Sequence, residues 1–555
     1  MVEWSLSRRT ALKTILAGSA APWILRSKAF AASSCDDHIV RIGAVVAPDT
    51  LSPFSSYSNW YPLIYTYDVL VGVDAQRHAD RKGFAKEWSV ADDNVTWTFK
   101  MWPGLKWSDG QPATARDAAF TYNYIRGSIG TPNELNAGLN STDGIQNFES
   151  IKALDDETLQ IVTKSPTRGP IENSVLMVPE HIWKDVSFSD ARGSFRNDPP
   201  LVTTGPMVIS EFQQGQFARF TPNPYFRGGQ PKAAGLEFHF FGSADPLAQG
   251  LKSGSLDYAF GLTPSQWADL AKDPSMQVGE TRIEQRNYLA FNTLSGKGAG
   301  STKALQDPAF RDAIGYAIDQ KAIVDRAMRG HADPGVGLTM PSTPEYYSDL
   351  SDIRRHFDLA EAGRRLDAAG YRDANGDGVR EDKEGKDFQL ELITGTASGN
   401  LEFPIAAVQQ IAGWLKQIGV RVSVTQLDFG ALRTRTAAPT GGGGGWDLLV
   451  RGAWLGPSAR DTIALGRSKQ IGSSNTSYWT NDEFDRLADE IAVTIDLKKA
   501  RQLVDQASRL IYTEAPYIIL CYPRLLDAHR KDCFDGWGTD ISGYSYAPFD
   551  RLRPI

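Results

Sequence analysis

Hydrophobic and polar residues change period repeatedly along this chain. In VTWTFKM, Val95, Trp97 and Phe99 alternate with polar neighbours as a half-buried strand requires; the Pro-Gly and Ser-Asp-Gly turns of MWPGLKWSDGQP predict a second strand and a reversal. TARDAAFTYNYI then takes helical spacing, with Thr114 as N-cap and Asp117 at the third helical position completing a capping-box arrangement. Strands are predicted at HIVRIGAVV (38–46), MVISEF, LEFHFF, FQLELIT, VRVSVTQL and WDLLVRGAW, and helices at LAEAGRRLDAAG and IAAVQQIAGWLKQIG. DPAFRDAIGYAIDQKAIVDRAM is predicted as one amphipathic helix, capped by Asp307, with Pro308 in its first turn and Phe310, Ile314, Ala317 and Ile318 on one face. The five glycines at 441–445 predict a flexible surface loop. Alternating helices and strands predict an α/β protein.

The N-terminus departs from this pattern. SRRTALK places Arg8 and Arg9 before a weakly apolar stretch, broken by Lys13, Gly18 and Pro22, that is too short and polar to span a bilayer. Ala29 and Ala31 around Phe30 form an A-x-A cleavage site, so the expected mature chain begins at Ala32, exported by the twin-arginine route and periplasmic. About 524 residues follow, more than one core usually supports, which predicts two or three domains. The whole chain carries −7; the leader holds five Lys or Arg and one Glu, so −11 remains after Ala31. That balance argues against nucleic acid as a partner. Three cysteines permit one intramolecular disulfide, with Cys521 and Cys533 the nearer pair by sequence. Cys35 follows Ala-Ser-Ser without the Leu that usually precedes a lipid-modified cysteine, so lipid anchoring is not expected.

The chain contains no zinc-protease, phosphate-loop, nucleophile-elbow, kinase or paired-cysteine zinc pattern, and its seven histidines are scattered. Gly296, Gly298 and Gly300 have the wrong spacing for either nucleotide fingerprint. A secreted hydrolase using two carboxylates is the competing class, but nothing singles out such a pair. One motif fits a template: Asp373, Asn375, Asp377, Glu381 and Glu384 occupy positions 1, 3, 5, 9 and 12 of a calcium loop, Val379 offers its carbonyl, and Gly378 permits the sharp turn. A polar turn leading into FQLELIT is the alternative reading, and no cofactor is otherwise required.

Several strings, in order along nearly the whole mature chain, resemble a known family. They are FAKEWSVADDNVTWTFKMWPGLKWSDGQPATARDAAFTYNYI, VPEHIW, TTGPMVISEFQQGQFARFTPNPYFRGGQPK, LAQGLKSGSLDYA, NYLAFNT, DPAFRDAIGYAIDQKAIV and LDAAGYRDANGDG. The chain is thereby identified as similar to solute-binding proteins of ATP-binding-cassette importers, in the oligopeptide/dipeptide/nickel class called family 5. The resemblance implies a two-lobed periplasmic-binding-protein architecture with mixed sheets and a first lobe split into two subdomains. On that plan residues 32–75, 196–288 and 512–555 form the core of lobe I, 76–195 its extra subdomain and 289–511 lobe II, with crossings near Asn287 to Asn292 and near 505–520. It also implies a non-catalytic monomer that captures a small oligomeric solute and passes it to a membrane permease served by an ATPase.

The resemblance further implies where solute binds. Peptide binders of the family pair the terminal ammonium with an Asp shortly after a Trp. Here Arg451-Gly-Ala-Trp454-Leu-Gly-Pro457 keeps the Trp but has Pro457 in place of that Asp, with Asp461 four residues on as a substitute. Tyr57, Asn59 and Trp60 in the aromatic loop, with Arg451, Trp454 and Asp461, are the expected ligand contacts. A peptide or peptide-like solute held by main-chain hydrogen bonds is one reading. An oligosaccharide or opine-type solute, stacked on Trp60 and Trp454, is the rival.

Overall fold

The computed structural model describes the chain from residue 35 onward, except 46, 49, 55–59, 74–78, 81–82, 136–142, 174, 397–402, 455, 457 and 538–551. The leader, Tyr57, Asn59 and Pro457 therefore lie outside the described residues. After strand β1 (Ile39–Ala44), an antiparallel sheet forms from β2 (Ala85–Val90), β3 (Thr96–Met101), β4 (Phe148–Ala153) and β5 (Thr158–Thr163), in spatial order β2-β3-β5-β4. Its alternation is the one legible in sequence: Trp97 and Phe99 are buried while the residues between them are half-exposed. Helix α1 (Ala115–Ser128) begins with the anticipated capping box, Thr114 and Asp117 each satisfying the other's backbone.

A second, larger sheet unites the rest of the molecule. It takes β1, β6 (Met207–Gln213), β7 (Phe217–Pro222), β8 (Gly235–Phe240) and β9 (Tyr258–Phe260) from the first part of the chain. Next come β10 (Met276–Arg282), β11 (Gln285–Phe291), β12 (Ala332–Pro334), β13 (Gln389–Gly395), β14 (Arg421–Leu427), β15 (Leu448–Trp454) and β16 (Tyr517–Arg530). The order is β14-β13-β15-β11-β16-β9-β1-β8-β7-β6, with β10 and β12 also pairing with β16. Strand β16 joins two regions: Tyr517–Cys521 pair with β11, whereas Arg524–Arg530 pair with β10. Parallel pairs such as β1–β8 and β13–β14 sit beside antiparallel ones, giving the mixed α/β sheets of a two-lobed binding protein. Separate hydrophobic clusters lie on either side of the join, so each part keeps its own core.

Three expectations change. The helix predicted over the DPAF segment stops early: α2 (Pro308–Tyr316) is capped by Asp307, and Asp319 then accepts from the Ala322 amide and starts a separate turn. A side chain that caps a new helix competes with continuing the old one. The glycine run is a packed segment, because a Cβ on Gly443 would collide with the Ala437 carbonyl and one on Gly444 with Gly298, while the Gly445 amide donates to the Gly298 carbonyl at 2.8 Å. The glycines permit close backbone approach, at left-handed φ in Gly442, Gly444 and Gly445. Finally, the disulfide joins Cys35 to Cys533, 498 residues apart, and Cys521 is a free thiol buried on β16. Proximity in sequence misled here because Cys521 faces the second core, away from the C-terminal segment. No described helix is long and apolar enough to cross a membrane.

Candidate solute cleft

Strands β11 and β15 run antiparallel from Gln285 opposite Trp454 to Phe291 opposite Leu448, and β11 pairs on its other side with β16. Along most of this pair alternate side chains enter two cores: Leu289, Phe291, Leu448 and Val450 one way, Tyr288, Ala290 and Leu449 the other. The alternation fails at the start of β11. Glu284, Gln285, Arg286 and Asn287 are all buried, at 5, 3, 0 and 0% exposure. A buried polar run is costly unless matched by hydrogen bonds. Asn287 Nδ2 contacts Cys521 Sγ at 3.7 Å, and Arg286 Nη1 donates to the carbonyls of Leu338 and, at 3.3 Å, Thr462. Gly452 opposite makes room, since a Cβ there would lie 2.7 Å from Gln285 Nε2 and 2.8 Å from Asn287 Oδ1. Sequence reasoning passed over Gln285, Arg286, Asn287 and Gly452. The available signal was the QRN run where an apolar strand residue was due.

Three anticipated contacts lie near this end. Trp454 closes β15 half-buried and packs on the first lobe's core, so its indole spans the join. Arg451, on the same strand, is half-buried; its Nε donates to the Gly452 carbonyl at 3.4 Å, and it forms no ion pair among the described residues. Asp461 lies on helix α3 (Ala459–Ile463), where its carboxylate accepts from Ser458 Oγ at 2.7 Å while Ser458 caps its amide. It acts on Arg286 through its charge. Trp60 opens a helical turn, Trp60–Leu63, and its side chain lies outside the described residues.

Two segments distant in sequence also touch directly. Arg168, at the helical turn Gly169–Glu172, bonds Glu172 at 2.8 Å and reaches Glu345 at 3.3 Å, while Tyr346 donates its hydroxyl to Glu172 at 2.8 Å. Burial holds the Tyr346 phenol well above its ordinary range, so it stays a donor. On the first-lobe half of β16, Asp527 is 5% exposed and burial pushes its carboxyl up to about 7. Its neighbour His529 is pushed down to about 4 by burial and by the Lys531 charge.

In the Asp373 loop the carboxylates bind the turn itself. Asp373 accepts from the Gly376 and Gly378 amides at 2.7 and 2.9 Å, Asn375 from Asp377 at 2.8 Å, and Asp377 from Val379 at 2.8 Å. Asp377 also pairs with Arg421, and the exposed Glu384 with Lys303 at 3.4 Å. Among the described residues these carboxylates do not converge on one point; the one such gathering holds Cys35 and Cys533, already joined as a disulfide.

Two lobes joined through shared strands, with buried polar groups and a bridging tryptophan at the join, define a cleft-type binding protein rather than a barrel or bundle. The chain belongs to the bacterial extracellular solute-binding proteins, family 5, whose model matches residues 81–465. Glutathione-binding protein GsiB of Shigella flexneri is 24% identical over 538 residues, covering 95% of this chain and 96% of that one. Oligopeptide-binding protein AppA of Bacillus subtilis is 24% identical over 473 residues, 84% and 80% of the two chains. Among solved structures, AppA in complex with a nonapeptide superposes with a TM-score of 0.73 at 21% identity, over 93% of this chain and 98% of that one. NikZ of Campylobacter jejuni in complex with Ni(L-His) gives 0.76 at 18% identity, over 93% and 99%.

Proposed function

We propose that this chain is the periplasmic receptor of an ATP-binding-cassette importer, closing its lobes over a short peptide or peptide-like solute and presenting it to a membrane permease. The carrying observation is family membership joined to the β11–β15 wall: an Arg451 without an ion pair among the described residues, a bridging Trp454 and a buried polar strand end. Relatives whose names record glutathione and oligopeptide binding support the solute class. Peptide main chain offers donors and acceptors for such a wall, and its terminal carboxylate suits a guanidinium. Solute touching both lobes stabilises only the closed state, so binding and closure are one equilibrium. We read the lobe division and twin-arginine export as the sequence implies them, with the protein acting as a non-catalytic monomer. The Cys35–Cys533 disulfide supports an oxidising compartment.

The test is thermal unfolding of mature protein, denatured and refolded to strip bound solute, against panels of peptides including glutathione, oligosaccharides and opine-type conjugates. A solute at about 100 times its Kd adds roughly 2.7 kcal/mol. A shift of a few degrees with peptides alone supports this reading; a shift with sugars or opines and none with peptides replaces it by the stacked-solute alternative.

A further inference from the structure

Arg286 is a large, fully buried charged group at the start of β11, and three of its five N–H donors have no partner among the described residues. Nη1 is spent on the Leu338 and Thr462 carbonyls, whereas Nε and Nη2 are buried without a hydrogen-bond partner. Those two nitrogens share one edge of the planar guanidinium, forming the side-on fork that matches the two oxygens of a carboxylate. Burying a cation with unpaired donors costs the fold free energy. Asp461 is near enough to act electrostatically, but its carboxylate bonds Ser458. The remaining neighbours acting on the group are the phenols of Tyr288 and Tyr522. Tyr288 shares a hydrogen bond with Thr476, and Tyr522 donates to the Gly337 carbonyl.

The register ties this fork to Arg451, an expected solute contact; Gln285 and Trp454, one position along, occupy the opposite face of the strand pair. Arg286 is opposite Ala453 and Tyr288 is opposite Arg451, so the two guanidinium groups stem from diagonal positions on one face of β11 and β15. We propose that the Nε–Nη2 edge of Arg286 receives a carboxylate of the bound solute, so that the receptor selects solutes carrying a free carboxylate at that end. This deepens the peptide reading and rests on it for the location of the solute.

The experiment compares wild type, Arg286→Lys and Arg286→Met by calorimetric titration with short peptides and glutathione as free acids and as carboxamides, and with succinate and glutarate as non-peptide acids. Wild type is expected to bind acids about 10- to 100-fold more tightly than the matching amides, the range for a charge-assisted pair. Arg286→Lys, which keeps the charge but not the fork, is expected to lose most of that preference. Peptides silent in every form, with succinate or glutarate bound by wild type and not by Arg286→Lys, would sink the peptide reading and uphold the carboxylate site. Equal binding of acids and amides by wild type overturns the proposal whatever the variants do. An acid preference retained in a folded Arg286→Lys protein overturns it as well.

Discussion

The four-stranded sheet and the β11–β15 pair are both β structure built from regular strands, yet they bury different chemistry. In β3, Trp97 and Phe99 point inward and the intervening residues outward, and the following helix satisfies its first amides with Thr114 and Asp117. In β11 every residue from Gln285 to Phe291 is buried, three of the first three being polar. The first region follows the rules that make a sequence foldable. The second breaks them at one end, and the break coincides with the join between lobes, where a receptor must hold polar groups for its solute.

This contrast is broken most directly by Phe99→Ala. Removing a fully buried ring is expected to cost about 3–5 kcal/mol in urea unfolding while leaving solute Kd within about twofold, because β3 lies outside the cleft wall. Comparable loss of affinity would mean the small sheet shapes the cleft. Next in size, Asp527→Asn probes a buried carboxyl on β16. Its folded pKa of about 7 lies above the unfolded value, so the proton is held more tightly when folded. That stability is present at low pH and lost as pH rises toward 7. His529, held down to about 4, works in the opposite sense below about 6.5 and partly masks the trend in wild type. Unfolding at pH 5 and pH 8 is expected to show Asp527→Asn stabilised at pH 8, on the order of 2–4 kcal/mol relative to wild type. An unchanged difference between the two pH values would remove Asp527 from the account.

Gly452→Ala sharpens the comparison on the cleft side. A methyl there must push Gln285 and Asn287 aside, with an expected cost of about 1–3 kcal/mol and about tenfold weaker solute binding. Arg168→Ala removes the contact to Glu345 and is expected to cost about 1 kcal/mol, shifting the solute-free protein toward open forms seen as a larger radius of gyration in X-ray scattering. The smallest effect belongs to calcium. With its carboxylates turned to backbone amides, the Asp373 loop is expected to give less than about a one-degree change in melting temperature between calcium and a chelator. A larger rise would establish the metal loop that its sequence spacing suggests.

What the sequence disclosed follows the same division. Alternation and capping located β3, α1, β13 and β15, because burial there tracks residue type and the caps are local. The Cys35–Cys533 bond was hidden, since it links residues 498 apart through the fold rather than the chain. The packing of 441–445 was hidden too, because glycines that permit close backbone approach look identical in sequence to glycines that confer slack. Trp454 and Arg451, which the structure places on β15, were singled out through resemblance to a family motif. Arg286 was not, because an arginine opening a strand reads as an exposed end unless its burial is known. Asp461, expected as a replacement ammonium anchor, also accepts from Ser458 at the cap of its own helix.

Closure of the two lobes on a peptide-type solute is read by X-ray scattering of the stripped mature protein during titration with the best-binding peptide or glutathione. The expected result is a saturable decrease in radius of gyration at one solute per chain, with the solute recovered chemically intact. Saturable binding with no change in radius, or recovery of cleaved solute, would contradict it.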